Sequence, residues 1–95
     1  MAEFKYIMFR VTDPIPRDIP VIFPDFLVHD QVFHALRAME GNQLQTAMPI
    51  AAGSMQLLDV ECFGKSTTLN VVSRKTLDEN IVLSYPYLHG LVSEE

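Results

Sequence analysis

The segment from Pro20 to Met39 constrains the fold more than any other part of the chain. Three apolar residues stand between Pro20 and Pro24 and predict a short β-strand, because proline interrupts the hydrogen bonding of a sheet on either side. Beyond them, apolar residues recur at the spacings of an α-helix with one apolar face: Val28, Val32, Leu36 and Met39, with Phe33 beside them. This helix is predicted from about Asp25 or His29 to Met39, and Gly41 favours its end. Its apolar face must cover a sheet, with Leu36 at the centre of the contact.

The N-terminal residues supply the first strand of that sheet. Phe4–Val11 is rich in β-branched and aromatic side chains, which is typical of a strand. Alternation places two sets of side chains on opposite faces, and the more apolar set is predicted to meet the core. That set is Lys5, Ile7, Phe9 and Val11, whereas Tyr6, Met8 and Arg10 share the other face. The proline-rich range Thr12–Pro20 predicts an extended loop that reverses the chain, so that Val21–Phe23 pairs with the first strand.

The second half of the chain predicts a β-hairpin. Ile50–Phe63 is the longest extended stretch, and its end alternates, with Leu58, Val60 and Cys62 on one side. Gly53 and the Leu57-Leu58 pair interrupt this alternation and suggest a bulge. Gly64–Ser66 is predicted to turn the chain into a returning strand over Thr67–Ser73, with Leu69 and Val71 facing inward.

A short second helix is one of two alternatives for the last part of the chain. Thr76 and Glu79 have the spacing of a capping box, which predicts a helix from Thr76 to about Ser84. A fifth strand over Ile81–Tyr85 is the competing prediction. The predicted fold class is α+β, a single domain over residues 1–95 with an antiparallel sheet of three to five strands and one amphipathic helix across one face. The tail over residues 89–95 is expected to fray.

Charge and composition disfavour several classes of function. Seven basic and twelve acidic residues give a formal charge of −5, so a basic surface for nucleic-acid phosphates is not expected. The acidity either maintains solubility or complements a basic groove on another protein. Hydrophobic residues form 48% of this short chain, so a second copy is a possible partner for apolar surface. The lone Cys62, the start Met1-Ala2-Glu3 and the lack of a long apolar run predict a cytoplasmic protein without a signal peptide or membrane span.

Motifs that would indicate catalysis or a cofactor are weak in this sequence. Gly64-Lys65-Ser66 resembles the end of a phosphate-binding loop, but Asp59 stands where that motif needs an earlier glycine. The group His29, Asp30 and His34 offers too few ligands for a zinc site. Cys62 lies on an apolar strand face, where a thiol is usually inert. The sequence therefore predicts no catalytic residue, no metal and no cofactor.

Two groups of residues are candidate binding sites. The preferred site is a partner-binding face that combines carboxylates with apolar side chains: Asp13, Asp18, Asp25, Phe26, Leu27 and Asp30. The structural alternative is that Phe26 and Leu27 anchor the loop and the aspartates are ordinary turn residues. The second candidate would bind a phosphate-bearing ligand at the start of the second helix, where backbone N–H groups favour anions: Ser73, Arg74, Lys75 and Thr76. A solvated charge pair beside a helix cap would explain the same residues.

The segments Lys5–Phe9 and Pro20–Pro24, together with Ser73-Arg74, resemble small uncharacterised proteins encoded by phages and prophages. Phage proteins of this size are often inhibitors of bacterial defence that block a host protein or sequester its nucleotide signal. The resemblance thus implies a non-enzymatic binding protein in the host cytoplasm, with a host protein as partner. The alternative is a small-molecule binding protein that sequesters a nucleotide- or phosphate-bearing ligand.

Overall fold

A four-stranded antiparallel sheet with a helix on each face forms the centre of the protein. The computed structural model describes residues 3–12, 15–39, 41, 44–56 and 59–84. In chain order the elements are β1 (Glu3–Val11), β2 (Arg17–Pro24), α1 (His29–Ala38), β3 (Met48–Gln56), β4 (Glu61–Phe63), β5 (Lys65–Ser66), β6 (Val71–Val72) and α2 (Thr76–Leu83). The sheet has the strand order β2-β1-β3-β4, and β5 and β6 form a separate two-stranded ribbon. The predicted α+β class is confirmed.

Strand β1 is buried on both faces, and not on one face as its pattern predicted. Tyr6 and Met8 belong to one apolar core, while Ile7 and Phe9 belong to a second core on the opposite face. All four side chains are fully buried. The prediction failed because β1 is a central strand, with β2 and β3 on either side and a helix covering each face.

The two helices cover the sheet to different degrees. On the Phe9 face, Val32, Phe33 and Leu36 of α1 are partly buried, and the Phe33 ring stacks on Phe9 at a centroid distance of 6.4 Å. Leu36 therefore lies in the predicted contact but is only half-buried. On the Tyr6 face, Val82 of α2 is fully buried among the core side chains.

Strand β2 pairs with β1 as predicted, but it is longer than the prediction. Its register matches Phe4 with Pro24 and Val11 with Arg17, so both prolines lie inside the strand. Proline is tolerated there because β2 is an edge strand whose outer N–H groups need no partner in the sheet.

The predicted hairpin between Ile50–Phe63 and Thr67–Ser73 is wrong. The chain turns earlier, at Asp59 and Val60, so that β4 pairs with β3, and it turns again at residues 67–70 between β5 and β6. Val60 and Asn70 have φ angles of 44° and 59°, the left-handed conformation that these turns need. The register irregularity lies between Met8 and Phe9, opposite β3, and not at Gly53, which pairs regularly with Tyr6. Leu57 and Leu58 lie outside the described residues.

Helix α2 forms, so the competing prediction of a strand from Ile81 is wrong. The helix starts at Thr76 as predicted, but its cap residue is Lys75 and not Thr76. The Glu79 carboxylate accepts a hydrogen bond from the Cys62 backbone N–H at 2.9 Å, and does not complete a capping box. Tyr85 and the tail over residues 89–95 lie outside the described residues.

Candidate functional site

The loop between β2 and α1 presents the most exposed large hydrophobic side chain among the described residues. The Leu27 N–H donates to the Pro24 carbonyl at 3.2 Å, and the Val28 N–H donates to the Gln31 side chain at 3.0 Å. Leu27 packs against the core of the Phe9 face and anchors the loop. Phe26 points outward instead and is 80% exposed. The alternative prediction, that Phe26 and Leu27 both anchor the loop, is therefore true of Leu27 but not of Phe26.

Carboxylates and a second apolar side chain lie beside Phe26. Asp25 is exposed, and Val28 is 45% exposed at the start of α1. Asp30, in the first turn of α1, lies 3.2 Å from His34 Nε2. We call Asp25, Phe26, Val28 and Asp30 the Phe26 surface. It combines an exposed aromatic ring with two carboxylates on one short segment.

Asp18 does not belong to the Phe26 surface. It lies at the start of β2 while Asp25 follows the end of that strand, roughly 20 Å away at the rise of a β-strand. The Arg10 guanidinium donates to Asp18 at 2.9 Å and that of Arg74 at 3.2 Å. The hydrogen bond from Arg10 lowers the pKa of the Asp18 carboxyl. The predicted acidic face is thus divided, and Asp13 lies outside the described residues.

The four residues of the second candidate site are held largely by protein groups. The Arg74 backbone N–H and Nε donate to Asp78 at 2.9 and 2.8 Å. Ser73 Oγ lies 2.7 Å from the Tyr6 hydroxyl oxygen and donates its proton to it, because the single hydroxyl proton of Tyr6 is donated to Asp78. Lys75 Nζ lies 3.3 Å from Glu79, while Thr76 is exposed in the first turn of α2. An anion at this helix start would compete with carboxylates for both cations.

A buried polar network that was not predicted from the sequence joins α2 to β1. Asp78 is 0% exposed and accepts hydrogen bonds from Arg74 and from the Tyr6 hydroxyl, the latter at 2.5 Å. Burial and the nearby carboxylate raise the pKa of Tyr6 well above its ordinary value. The four-residue spacing of Arg74 and Asp78 was a signal for part of this network. Tyr6 could not be found in that way because it is distant in sequence.

The buried ionisable groups in and beside this network are poorly suited to catalysis near neutral pH. Burial raises the pKa of Cys62 to about 12, so its thiol stays protonated and a weak nucleophile. Tyr6 and Asp78 are inaccessible to a substrate. Among the residues that the structure describes, no group of three His, Cys, Asp or Glu side chains could hold a metal ion.

An open groove of about 470 Å³ lies at the other end of the sheet from the Phe26 surface. The residues that line it belong to β1, β2 and α2 or lie directly before β2 or after α2: Arg10, Pro16, Arg17, Asp18, Ile81 and Ser84. Asp18 already forms a two-point ion pair with Arg10, so an anionic ligand that binds Arg10 would have to displace a carboxylate.

Comparisons with protein families, with curated proteins and with solved structures gave no match. Within the described part of the chain, no helix is long and apolar enough to cross a membrane.

Proposed function

We propose that this chain is a non-enzymatic binding protein that contacts another protein through the Phe26 surface. The observation that supports this proposal is the exposure of Phe26, at 80%, on a loop whose neighbouring Leu27 is anchored in the core. An exposed aromatic ring on an ordered loop buries a large apolar area on binding and loses little conformational entropy.

The charges around Phe26 favour a particular kind of partner. Asp25 precedes Phe26 and Asp30 follows it by four residues, on a chain with a formal charge of −5. A partner with an apolar pocket and a rim of lysine or arginine side chains would accept the ring and complement both carboxylates. Long-range attraction between these charges would speed association and make it sensitive to salt.

The resemblance to phage and prophage proteins supports a more specific form of the proposal. The chain would act in the host cytoplasm as an inhibitor of a defence factor, by covering the pocket that accepts Phe26. Steric blocking of this kind needs no catalytic residue.

Sequestration of a phosphate-bearing ligand at Ser73–Thr76 has less support from the geometry. Arg74, the best phosphate ligand of this group, already contacts Asp78 and Asp18. The ligand would have to replace two carboxylates, one of which is fully buried. Native mass spectrometry of the purified protein would reveal such a ligand as added mass.

The proposed function can be tested by placing a photo-crosslinking benzoylphenylalanine at position 26. Irradiation in bacterial lysate, followed by mass spectrometry, identifies the contacted protein. The matched control carries the same group at Val72, which is also exposed but lies on β6. A product of twice the chain's mass would instead show that a second copy of this chain covers the surface.

Calorimetry with the purified protein that the crosslink identified then measures how much the Phe26 ring contributes to the binding affinity. Phe26→Ser is expected to weaken binding by roughly 30-fold or more, as for an aromatic hot spot. Val72→Ser should bind as the wild type does. If the two variants bind equally well, the Phe26 surface is not the binding site.

A further inference from the structure

His29 is buried at the first position of α1, three residues after Phe26. The residue is only 7% exposed. The imidazole ring meets the Phe23 ring edge-on, at a centroid distance of 5.6 Å and an interplanar angle of 86°. His29 Nε2 lies 3.0 Å from the Gly53 carbonyl oxygen. Because a carbonyl only accepts hydrogen bonds, Nε2 carries the proton.

The Gly53 carbonyl is a well-fixed acceptor. Gly53 lies within β3 and pairs with Tyr6 of the central strand. Strand β4 approaches Gly53 so closely that a Cβ atom there would lie 2.2 Å from the Phe63 carbonyl oxygen. The acceptor of the His29 hydrogen bond is therefore held on both sides by backbone, and it moves only if the sheet moves.

The backbone N–H groups of Leu27 and Val28, by contrast, form local hydrogen bonds. Leu27 is bonded to Pro24 and Val28 to Gln31, so these bonds shape the turn without attaching it to the sheet. His29 bonds to a residue 24 positions later in sequence and so connects the end of the loop to β3.

We propose that His29 is a positioning residue for the Phe26 surface: its hydrogen bond to Gly53 and its contact with Phe23 fix the loop and the start of α1 on the sheet. The importance of His29 for binding rests on the proposed function. The effect of His29 on the loop does not depend on that function. Without the attachment, the Phe26 ring would sample several positions and lose affinity through the entropy of ordering.

Two substitutions separate the hydrogen bond from the volume of the ring. His29→Leu fills a similar space but cannot donate to Gly53. His29→Gln places an amide N–H donor at about the distance of Nε2 and should restore the bond. The measured quantity is the amide hydrogen exchange of Leu27 and Val28, with the Met39 amide at the other end of α1 as the internal control.

In His29→Leu, the Leu27 and Val28 amides are expected to exchange roughly tenfold faster, which corresponds to the loss of one net hydrogen bond. The Met39 amide should be unchanged, and His29→Gln should return the loop amides towards the wild-type rate. Unchanged loop amides in His29→Leu, an equal acceleration at Met39, or no recovery in His29→Gln would each overturn the proposal. Because the measurement uses no partner, its result is independent of whether Phe26 binds one.

Discussion

Individual polar residues are tolerated inside this protein because hydrogen bonds offset the free-energy cost of burying them. Among the described residues, no buried side-chain nitrogen or oxygen lacks a hydrogen-bond partner. Asp78 is the extreme case, because a fully buried carboxylate is costly unless several donors surround it. The Tyr6 hydroxyl and two N–H groups of Arg74 supply those donors. The network also determines where α2 sits, because Tyr6 belongs to the central strand.

Asp78→Ala should destabilise the protein by about 3 kcal/mol, near the lower end for a broken buried ion pair. The loss is at the lower end because Arg74 keeps its contact with Asp18. Urea denaturation followed by circular dichroism measures the change in the free energy of unfolding. Asp59→Ala, at an exposed turn, is the control and should change stability by no more than about 0.5 kcal/mol. Equal midpoints for the two variants would show that the network contributes nothing to stability.

His29 should make the stability of the protein depend on pH. Burial lowers the pKa of its imidazole in the folded protein, and the nearby Lys5 acts in the same direction, whereas the Gly53 hydrogen bond opposes them. Below about pH 6.5 the unfolded chain binds a proton that the folded protein resists. The contribution of His29 is therefore complete above that pH and is lost as the pH falls towards the lowered pKa.

The free energy of unfolding of the wild type and of His29→Gln should be measured from about pH 5 to about pH 8, because this range extends on both sides of the ordinary histidine pKa of about 6.5. The wild type should lose stability relative to the variant as the pH decreases, with a slope of at most about 1.4 kcal/mol per pH unit. Parallel curves would mean that His29 does not titrate in this range.

At the scale of elements, the sequence predicted what local patterns determine. The spacing of apolar residues and the positions of the prolines predicted β1, its pairing with β2, and α1. Each of these patterns lies within about ten residues. The hairpins were missed because Val60 turns the chain in a left-handed conformation, which a β-branched residue seldom adopts. The sequence identified the Phe26 loop as a candidate binding site. Its separation from Asp18 was not predicted, because it depends on the length of β2. The role of His29 depends on Gly53, and no local pattern joins the two residues.

Gly53 is required by the close approach of two elements. Gly53→Ala would place a Cβ atom 2.2 Å from the Phe63 backbone oxygen, so β3 and β4 must separate. We expect a loss of about 3 kcal/mol, the upper end for overpacking a core. Gly41→Ala is the matched control, because Gly41 has a φ of +81° but no atom within 4 Å of an added Cβ. It should cost about 1–2 kcal/mol from backbone strain alone. Thermal denaturation would compare them, and a smaller loss at Gly53 would contradict the predicted clash.

In the molecule as a whole, one sheet separates two cores of unequal depth. The core on the α2 side contains fully buried Met55, Cys62 and Val82. On the other side, the apolar residues of α1 are only partly buried, although Ile7, Phe9 and Ala52 of the sheet beneath them are fully buried. Helix α1 therefore acts as an outer layer. The loop with the Phe26 surface joins this layer to the edge strand β2, and its attachment through His29 offsets the weaker packing of the helix.

The two layers should respond differently to the removal of side chains of similar size. Met55→Ala empties a fully buried position and should cost roughly 2–5 kcal/mol, as a cavity in a packed core does. Leu36→Ala removes a half-buried side chain and should cost only about 1 kcal/mol, because less apolar area returns to water. Urea denaturation measures both losses, and equal slopes of free energy against urea would show that the two variants unfold from equally compact states. If Leu36→Ala cost as much as Met55→Ala, α1 would belong to the main core and the description of an outer layer would be wrong.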